Sequence, residues 1–479
     1  MSARYITTTL PYVNADPHIG FALELVQADA LARVWRLAGD EVFFSTGTDE
    51  HGQKILEAAE KAGQKPQEYV DCSVVEVQKL KGALNVSYDA FIRTTSPEHI
   101  KAAQEMWRLC NAKGDIYKKT YTGMYCVGCE SFKTEKEIVD GHCSIHTNLE
   151  LQEITEENYF FAFKKYEKVL LEYLRRPDVI VPDWRREEAI AFVTGGLEDF
   201  SISREKKRLS WGVPVPGDDS QVMYVWFDAL TDYISTLGWP EDKEGTFKKF
   251  WQEGTTLQVA GKDQVRFQSL MWQAMLLSAG IKNTDHIFYH GFINSGGQKM
   301  SKSVGNVISP FELVKKYGTD ATRYILLRHI NPMEDSDVTW ERLDEWYTAN
   351  LTNGLGNLVA RVMTLAEAYP SPIQFTAEDM MIESSFTDKI EQFHFNEAID
   401  LIWEYVGKGD AYMTEHIPYA KIKSKVPAEK EKAQQDIEKL VRNLTKIASN
   451  LIPIMPATAM TILTATLENK KPENLFPRL

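Results

Sequence analysis

Three things are scarce in this chain of 479 residues, and each scarcity excludes a class of protein. Cysteine comes first: there are five, too few and too unevenly spaced for a disulfide framework. Cys72 and Cys110 stand alone and read as small core residues. The other three are bunched between positions 126 and 143, which points to a metal site in a reducing compartment. Long apolar runs are also missing, and no charged-then-apolar leader opens the sequence. The expectation is a cytoplasmic protein with no membrane partner. Basic excess is missing too, since 54 Lys and Arg face 68 Asp and Glu, for a net charge of -14. A protein that grips nucleic acid over its whole surface would be basic, so any RNA contact here must be local. The basic stretches are Arg204-Glu-Lys-Lys-Arg208, the run from Lys299 to Lys302, and Lys421-Ile-Lys-Ser-Lys425. Each by itself reads as a solvated face.

What is present is ordinary in bulk, with 43% hydrophobic and 25% charged residues. The length predicts roughly two to four domains. The most informative stretch lies near the start. Tyr5-Ile-Thr-Thr-Thr9 is β-branched and aromatic and predicts a buried strand. Beyond it, Ile19, Leu23, Val26, Ala30, Val34 and Leu37 recur at helical steps until Gly39. Asp16 reads as the N-cap of this helix, Pro17 as its first residue, and His18 as part of its first turn. A histidine at a helix N-terminus faces whatever anion the site binds, phosphate being the obvious candidate. Gly20 lets a flat ring such as a nucleobase approach the backbone.

Far downstream, Gly296-Gly-Gln-Lys-Met-Ser-Lys-Ser-Val-Gly305 reads as a mobile, glycine-flanked loop bearing Lys299 and Lys302. Glu41-Val-Phe-Phe-Ser-Thr46 predicts a second buried strand, ending in Gly47-Thr-Asp-Glu-His-Gly52. Ligands of open parallel sheets bind beyond the carboxyl ends of strands, so Asp49 and His51 are expected in the same crevice as His18. From about Gly114 to Met223 the alternation of strand and helix is lost, which predicts an inserted domain. It carries Cys126-x2-Cys129 and Cys143-x2-His146, two knuckles that would each place two ligands on a tetrahedral Zn²⁺. His142 is the alternative fourth ligand, but the matching spacing favours His146. Four protein ligands leave no open position, so the zinc would be structural.

The strand pattern returns in Val222-Met-Tyr-Val-Trp-Phe-Asp228, Leu257-Gln-Val-Ala260 and His286-Ile-Phe-Tyr289, which are expected to rebuild the sheet. Asp263 follows at a strand's end. After about Trp346 the periodicity is helical, over 351–365, 390–406 and 437–451, and predicts a helix bundle. Asn357 and Arg361 share one helical face there.

Pro17-His-Ile-Gly20 together with Lys299-Met-Ser-Lys-Ser303 resembles the two signatures of class I aminoacyl-tRNA synthetases. Tyr12-Val-Asn-Ala-Asp-Pro-His-Ile-Gly20, Thr46-Gly-Thr-Asp-Glu-His-Gly52, Val225-Trp-Phe-Asp-Ala229 and Gly261-Lys-Asp263 extend that resemblance to the family's methionyl branch, over essentially the whole chain. The resemblance implies ATP-dependent activation of L-methionine to methionyl-adenylate and transfer to the 3′ end of tRNA(Met), with Mg²⁺ accompanying ATP. It implies catalytic roles for His18, Lys299 and Lys302, and ATP contacts from Gly20, Asp263 and Lys302. Asp49 would hold the α-ammonium of methionine, in a pocket lined by Leu10, Tyr12, Trp226, Ala229, Leu230, Tyr233, Gln268 and Trp272. Asn357, Arg361 and Tyr419 would read the anticodon. The sequence departs from the family at Phe21 and Gln268, where histidines are usual, and at Gln264, where an apolar residue is usual.

The implied fold class is α/β: a Rossmann-type parallel sheet split by a zinc-binding inserted domain and followed by an all-α helix bundle. The expected boundaries are 1–112 for the first half of the Rossmann domain, 113–222 for the insertion and 223–290 for the second half. A mobile-loop and stem-contact region, 291–345, and the helical anticodon-binding domain, 346–479, complete the chain. Because the sequence ends where the bundle closes, a monomer is expected. The competing readings are a synthetase for cysteine, leucine or isoleucine, and a catalytically impaired tRNA-binding protein.

Overall fold

The computed structural model describes residues 2–128, 131–133, 135–300 and 306–479. It divides into two units. The first comprises residues 1–17, 39–79 and 88–289, and the second residues 18–38, 80–87 and 290–479.

The first unit is built on a six-stranded sheet in the order Ala90–Arg93, Glu41–Thr48, Ala3–Thr7, Thr255–Gly261, His286–His290, Ile180–Val181. Ala3–Thr7 pairs in parallel with Glu41–Thr48 on one side and with Thr255–Gly261 on the other. Tyr5, Ile6, Phe44, Leu257 and Val259 are buried, as the continuous apolar runs of a doubly covered parallel sheet require. Successive strands are laid outward from Ala3–Thr7 in one direction and then, after the long excursion from residue 94 to 254, in the other. That makes the carboxyl ends of Ala3–Thr7 and Thr255–Gly261 a topological switch point, the place where such sheets bind ligands.

Within the excursion, Ile116–Cys126 and Gln152–Phe161 form a long antiparallel ribbon, extended by Ser131–Lys133 on one side and Phe200–Ser201 on the other. Ile180–Val181 returns to the parallel sheet as its edge. The run Val222 to Asp228 is not a strand of the parallel sheet. Asp218–Met223 belongs to a separate three-stranded antiparallel sheet, and Val225–Ala229 is a short helix. In that helix Val225 and Phe227 are buried and Trp226 is half-buried, covered by packing rather than by strand pairing, which overrides their strand propensity. The Arg204 cluster is structural: Arg204 is buried with its guanidinium 4.5 Å from the Tyr224 ring, while Arg208 lies 4.2 Å from Tyr125 and pairs with Glu156. Cys110 is in the core, where burial pushes its thiol up to about 12. Cys72, expected there as well, is exposed on the helix Pro66–Ala83, because Val70, Val74 and Val77 take the buried face instead.

The second unit opens with the helix Ile19–Leu37, whose residues are buried on nearly all sides. At its middle Asp29 meets Arg323 at 2.7 Å, both fully buried. Arg323 also donates to the carbonyls of Leu84, Pro453 and Ile454, so its charge is paired and its donors are used. From Trp340 onward the chain is a succession of helices, the longest being Phe395–His416 and Pro427–Leu451. Leu358, Val362, Ile399, Ile402, Val441 and Leu444 form apolar stripes at helical spacing in this bundle.

Candidate active site

In the first unit, the loop after Glu41–Thr48 is fixed on every side. Glu50 is fully buried and receives Arg93 through two parallel bonds of 2.8 Å, the Thr48 hydroxyl at 2.6 Å and the Thr95 hydroxyl at 2.5 Å. Its carbonyl accepts the Trp211 indole N–H at 2.6 Å. Asp49 is held between these anchors: its N–H donates to Pro11 O at 3.1 Å, and Tyr12 and Asp49 form a parallel bridge. Its carboxylate accepts a long bond from the His51 N–H at 3.5 Å. Asp49 is thus drawn to Tyr12 beyond the carboxyl ends of two adjacent strands, and Leu10 lies two residues before Tyr12 on the same loop.

His51 points its Nδ1 at Asp228 Oδ2, 2.7 Å away. The other oxygen of Asp228 takes His99 Nε2 at 2.8 Å, and His99 Nδ1 meets the Ser235 hydroxyl at 2.9 Å. Burial pushes the Asp228 carboxyl upward, but the two imidazoles more than offset this and hold it at about 2. Asp228 is therefore an ionised carboxylate deep inside the protein. Sequence reasoning missed His99, which carries no motif, and gave Asp228 no role although it stands inside Val225-Trp-Phe-Asp-Ala229.

The helices that follow carry the remaining methionine-pocket candidates. Trp226 is stacked on Phe267 at 3.8 Å, Ala229 and Leu230 are buried, and Tyr233 lies 5.8 Å from the Trp272 ring. Gln268 is 1% exposed and donates from Nε2 to the Tyr233 hydroxyl at 2.6 Å. Asp263 is exposed just past Gly261, at the switch point, with Gln264 donating to it at 3.1 Å.

In the second unit the helix starts two residues later than Asp16 and Pro17 predict. His18 itself is the N-cap, with an extended backbone, and the Gly20 N–H donates to its Nδ1 at 3.1 Å. The histidine ring thus does the work that an aspartate side chain does elsewhere, and the first helical residue is Ile19. Since Nδ1 accepts, the neutral ring carries its proton on Nε2 and can donate it. A Cβ on Gly20 would lie 2.9 Å from His18 Cε1, so the glycine is needed by the ring next to it. Phe21 is 6% exposed and belongs to the apolar core. Lys299 ends the strand Gln298–Lys299, paired antiparallel with Ile293–Ser295. Lys302 lies outside the described residues.

Two further groups were predicted. Cys126, Cys143 and His146 come together with their ligand atoms within 4.8 Å of one another, and Cys126 Sγ is 3.8 Å from His146 Nδ1. A tetrahedral zinc with typical bond lengths would separate a sulfur from a nitrogen ligand by about 3.6 Å, so the donors fit that ion. The Ile145 N–H donates to Cys143 Sγ at 3.4 Å, and a Cβ on Gly128 would lie 2.6 Å from the His146 ring. His142 turns its Nδ1 to Leu149 O at 3.3 Å, and Cys129 lies outside the described residues. In the bundle, Asn357 is exposed, Arg361 pairs with Asp410, and Tyr419 is 47% exposed just after Ile417, whose φ is 46°.

Comparison with known proteins agrees with this architecture. The family described as tRNA synthetases class I (M) matches residues 4–153 and 134–363. The methionine–tRNA ligase of Nostoc sp. is 40% identical over 94% of this chain and 87% of its own length. That of Fusobacterium nucleatum is 38% identical over 96% of this chain and 73% of its own. Among solved structures, Mycobacterium tuberculosis methionyl-tRNA synthetase in complex with methionyl-adenylate superposes with a TM-score of 0.90 at 35% identity, covering 100% of this chain and 98% of that one. A family match over most of the sequence, and relatives alike from end to end of it, mean that the chain belongs to the methionine branch of the class I tRNA synthetases.

Proposed function

We propose that the protein joins L-methionine to AMP with release of pyrophosphate and then transfers the methionyl group to the 3′ end of tRNA(Met). The observation that carries this reading is family membership along nearly the whole chain. In the first step a methionine carboxylate oxygen attacks the α-phosphorus of ATP as its bond to the bridging oxygen breaks, and pyrophosphate leaves. In the second, a ribose hydroxyl of the terminal nucleotide attacks the acyl carbon, AMP departs, and the hydroxyl proton is released.

Both steps demand positioning and charge neutralisation more than covalent help. Asp49, on a loop whose neighbours Glu50 and His51 are both tied down, would hold the α-ammonium. Leu10, Tyr12, Trp226, Ala229, Leu230, Tyr233, Gln268 and Trp272 would surround the side chain, and Asp263 would take the ribose of ATP. His18, as an Nε2–H donor at a helix N-terminus, suits an oxyanion of the phosphate chain, with Gly20 beside the nucleotide and Lys299 and Lys302 closing over it. Mg²⁺ arriving with ATP would supply further neutralisation of the phosphates. Cys126, Cys129, Cys143 and His146 would hold a structural zinc in the 113–222 insertion. Residues 346–479 would read the anticodon through Asn357, Arg361 and Tyr419.

Pyrophosphate exchange with methionine, cysteine, leucine and isoleucine in turn tests the reading. Exchange with methionine and a severe drop in His18→Ala are expected. Exchange with another of the four, or with none, would overturn it.

A further inference from the structure

On the proposed reading, methionine would meet two walls that come from distant parts of the first unit's sequence. One is the loop of residues 48–51, bearing Asp49, and the other is the helix Val225–Ala229, bearing Trp226 and Ala229. The hydrogen bond from His51 Nδ1 to Asp228 Oδ2, at 2.7 Å, ties one wall directly to the other. Asp228 does not hold this bond alone, since its second oxygen is occupied by His99 from the helix Pro97–Ala112. Ser235, on Asp232–Ser235, holds the far nitrogen of His99. Asp228 and His99 are fully buried and His51 is 4% exposed, so none of the three touches solvent enough to be explained as a surface contact.

The same arrangement fixes proton positions. A carboxylate accepts only, so the nitrogen facing it must carry hydrogen in each imidazole: Nδ1–H in His51 and Nε2–H in His99. His99 Nδ1 lies 2.9 Å from the Ser235 hydroxyl, which also reaches the Asp232 carbonyl at 3.4 Å. The hydrogen bonds from Ser235 through His99 and Asp228 to His51 form one continuous buried chain, so displacing any member disturbs the next.

We propose that Asp228, with His99 behind it, is a positioning residue for methionine: it sets the distance between the wall that carries Asp49 and the wall that carries Trp226 and Ala229. This rests on the reading that those walls bind methionine. Loss of the charge loosens the amino-acid pocket without touching groups that meet ATP.

The test is Asp228→Asn, the same shape with one acceptor oxygen, measured in pyrophosphate exchange alongside the native protein. Methionine-dependent exchange by native protein establishes the underlying reading first, so its failure is seen separately. In Asp228→Asn the KM for methionine should rise about tenfold or more, as expected for a lost hydrogen bond to a charged group, while the KM for ATP stays within about twofold. His99→Gln, whose amide can still donate to Asp228, should show a smaller rise of the same kind, and it decides the matter if the asparagine variant does not fold. An unchanged KM for methionine in a folded variant, or equal rises for methionine and ATP, would overturn the proposal. A role confined to packing would lower the melting temperature and leave the ratio of the two KM values where it was.

Discussion

The Gly20 N–H donates to His18 Nδ1 at 3.1 Å, and a Cβ placed on residue 20 would stand 2.9 Å from Cε1 of the same ring. The two residues therefore form one object: the histidine caps its own helix, and the glycine leaves room for it. Gly20→Ala should push the ring off its cap, losing both the fixed Nε2–H donor and a cap worth about 1 kcal/mol. Pyrophosphate exchange should fall by roughly one to two orders of magnitude, since a hydrogen bond to a charged group contributes about 1.5 to 3 kcal/mol. Helix propensity alone predicts the opposite, as Ala is the better helix former. An alanine variant as active as native protein would show that the cap is incidental.

That pair also shows what the sequence made readable. The strand of residues 41–48 and the helix after His18 are local signals, legible because neighbouring residues carry the meaning, and of the two knuckles Cys126, Cys143 and His146 come together. Asp16 and Pro17 misled because both suit a helix start, yet His18 supplies the cap itself. Val225-Trp-Phe-Asp228 looks like a strand because propensity cannot distinguish a buried short helix from a buried strand. His99 was invisible for another reason: its partners Asp228 and Ser235 lie 129 and 136 residues away, and no local pattern encodes a contact of that range.

The knuckle donors predict a metal-dependent fold for the insertion. Cys126 ends the strand Ile116–Cys126, so an ion bound there would clamp the tip of the long ribbon formed with Gln152–Phe161. Elemental analysis should find one zinc per chain, and Cys126→Ser should release it and lower the insertion's resistance to proteolysis, because metal affinity at such a site is folding free energy. Native protein purified without chelator and carrying no zinc would refute this.

Asp232 predicts an unusual pH dependence. Its side chain is 1% exposed and Oδ2 has no hydrogen-bond partner. Burial pushes its carboxyl well above the ordinary 3.8; a backbone hydrogen bond at Tyr233 opposes the rise, and the charge of Asp228 adds to it. The folded protein thus keeps a proton that the unfolded chain gives up. Stability from this group is full below the unfolded value and is lost as pH rises towards the folded one, so at neutral pH the aspartic acid is a cost. Asp232→Asn is neutral throughout. Its melting temperature should exceed that of native protein at about pH 8, and the gap should shrink towards about pH 4. A gap that stays constant across that range would mean that the group does not titrate as its burial requires.

If Tyr419 reads the anticodon, as proposed, recognition of tRNA can be separated from chemistry. It follows Ile417, whose left-handed backbone (φ 46°) turns the chain after Phe395–His416, and Pro418, which opens a short helix. The ring is 47% exposed, so it contributes little to the bundle core. Exposed Lys423 and Lys425 follow within a few residues, in a chain that is otherwise acidic. An exposed aromatic beside local positive charge is what a stacked, unpaired base needs, and such stacking is worth about 1 to 3 kcal/mol per base. Tyr419→Ala should therefore lower kcat/KM for tRNA charging by roughly 5- to 150-fold while leaving methionine-dependent pyrophosphate exchange and the melting temperature unchanged. Tyr419→Phe keeps the ring face and should retain most of the charging rate. Equal losses in charging and in exchange would assign the ring to packing, and a phenylalanine variant as impaired as alanine would assign the effect to the hydroxyl instead of to stacking.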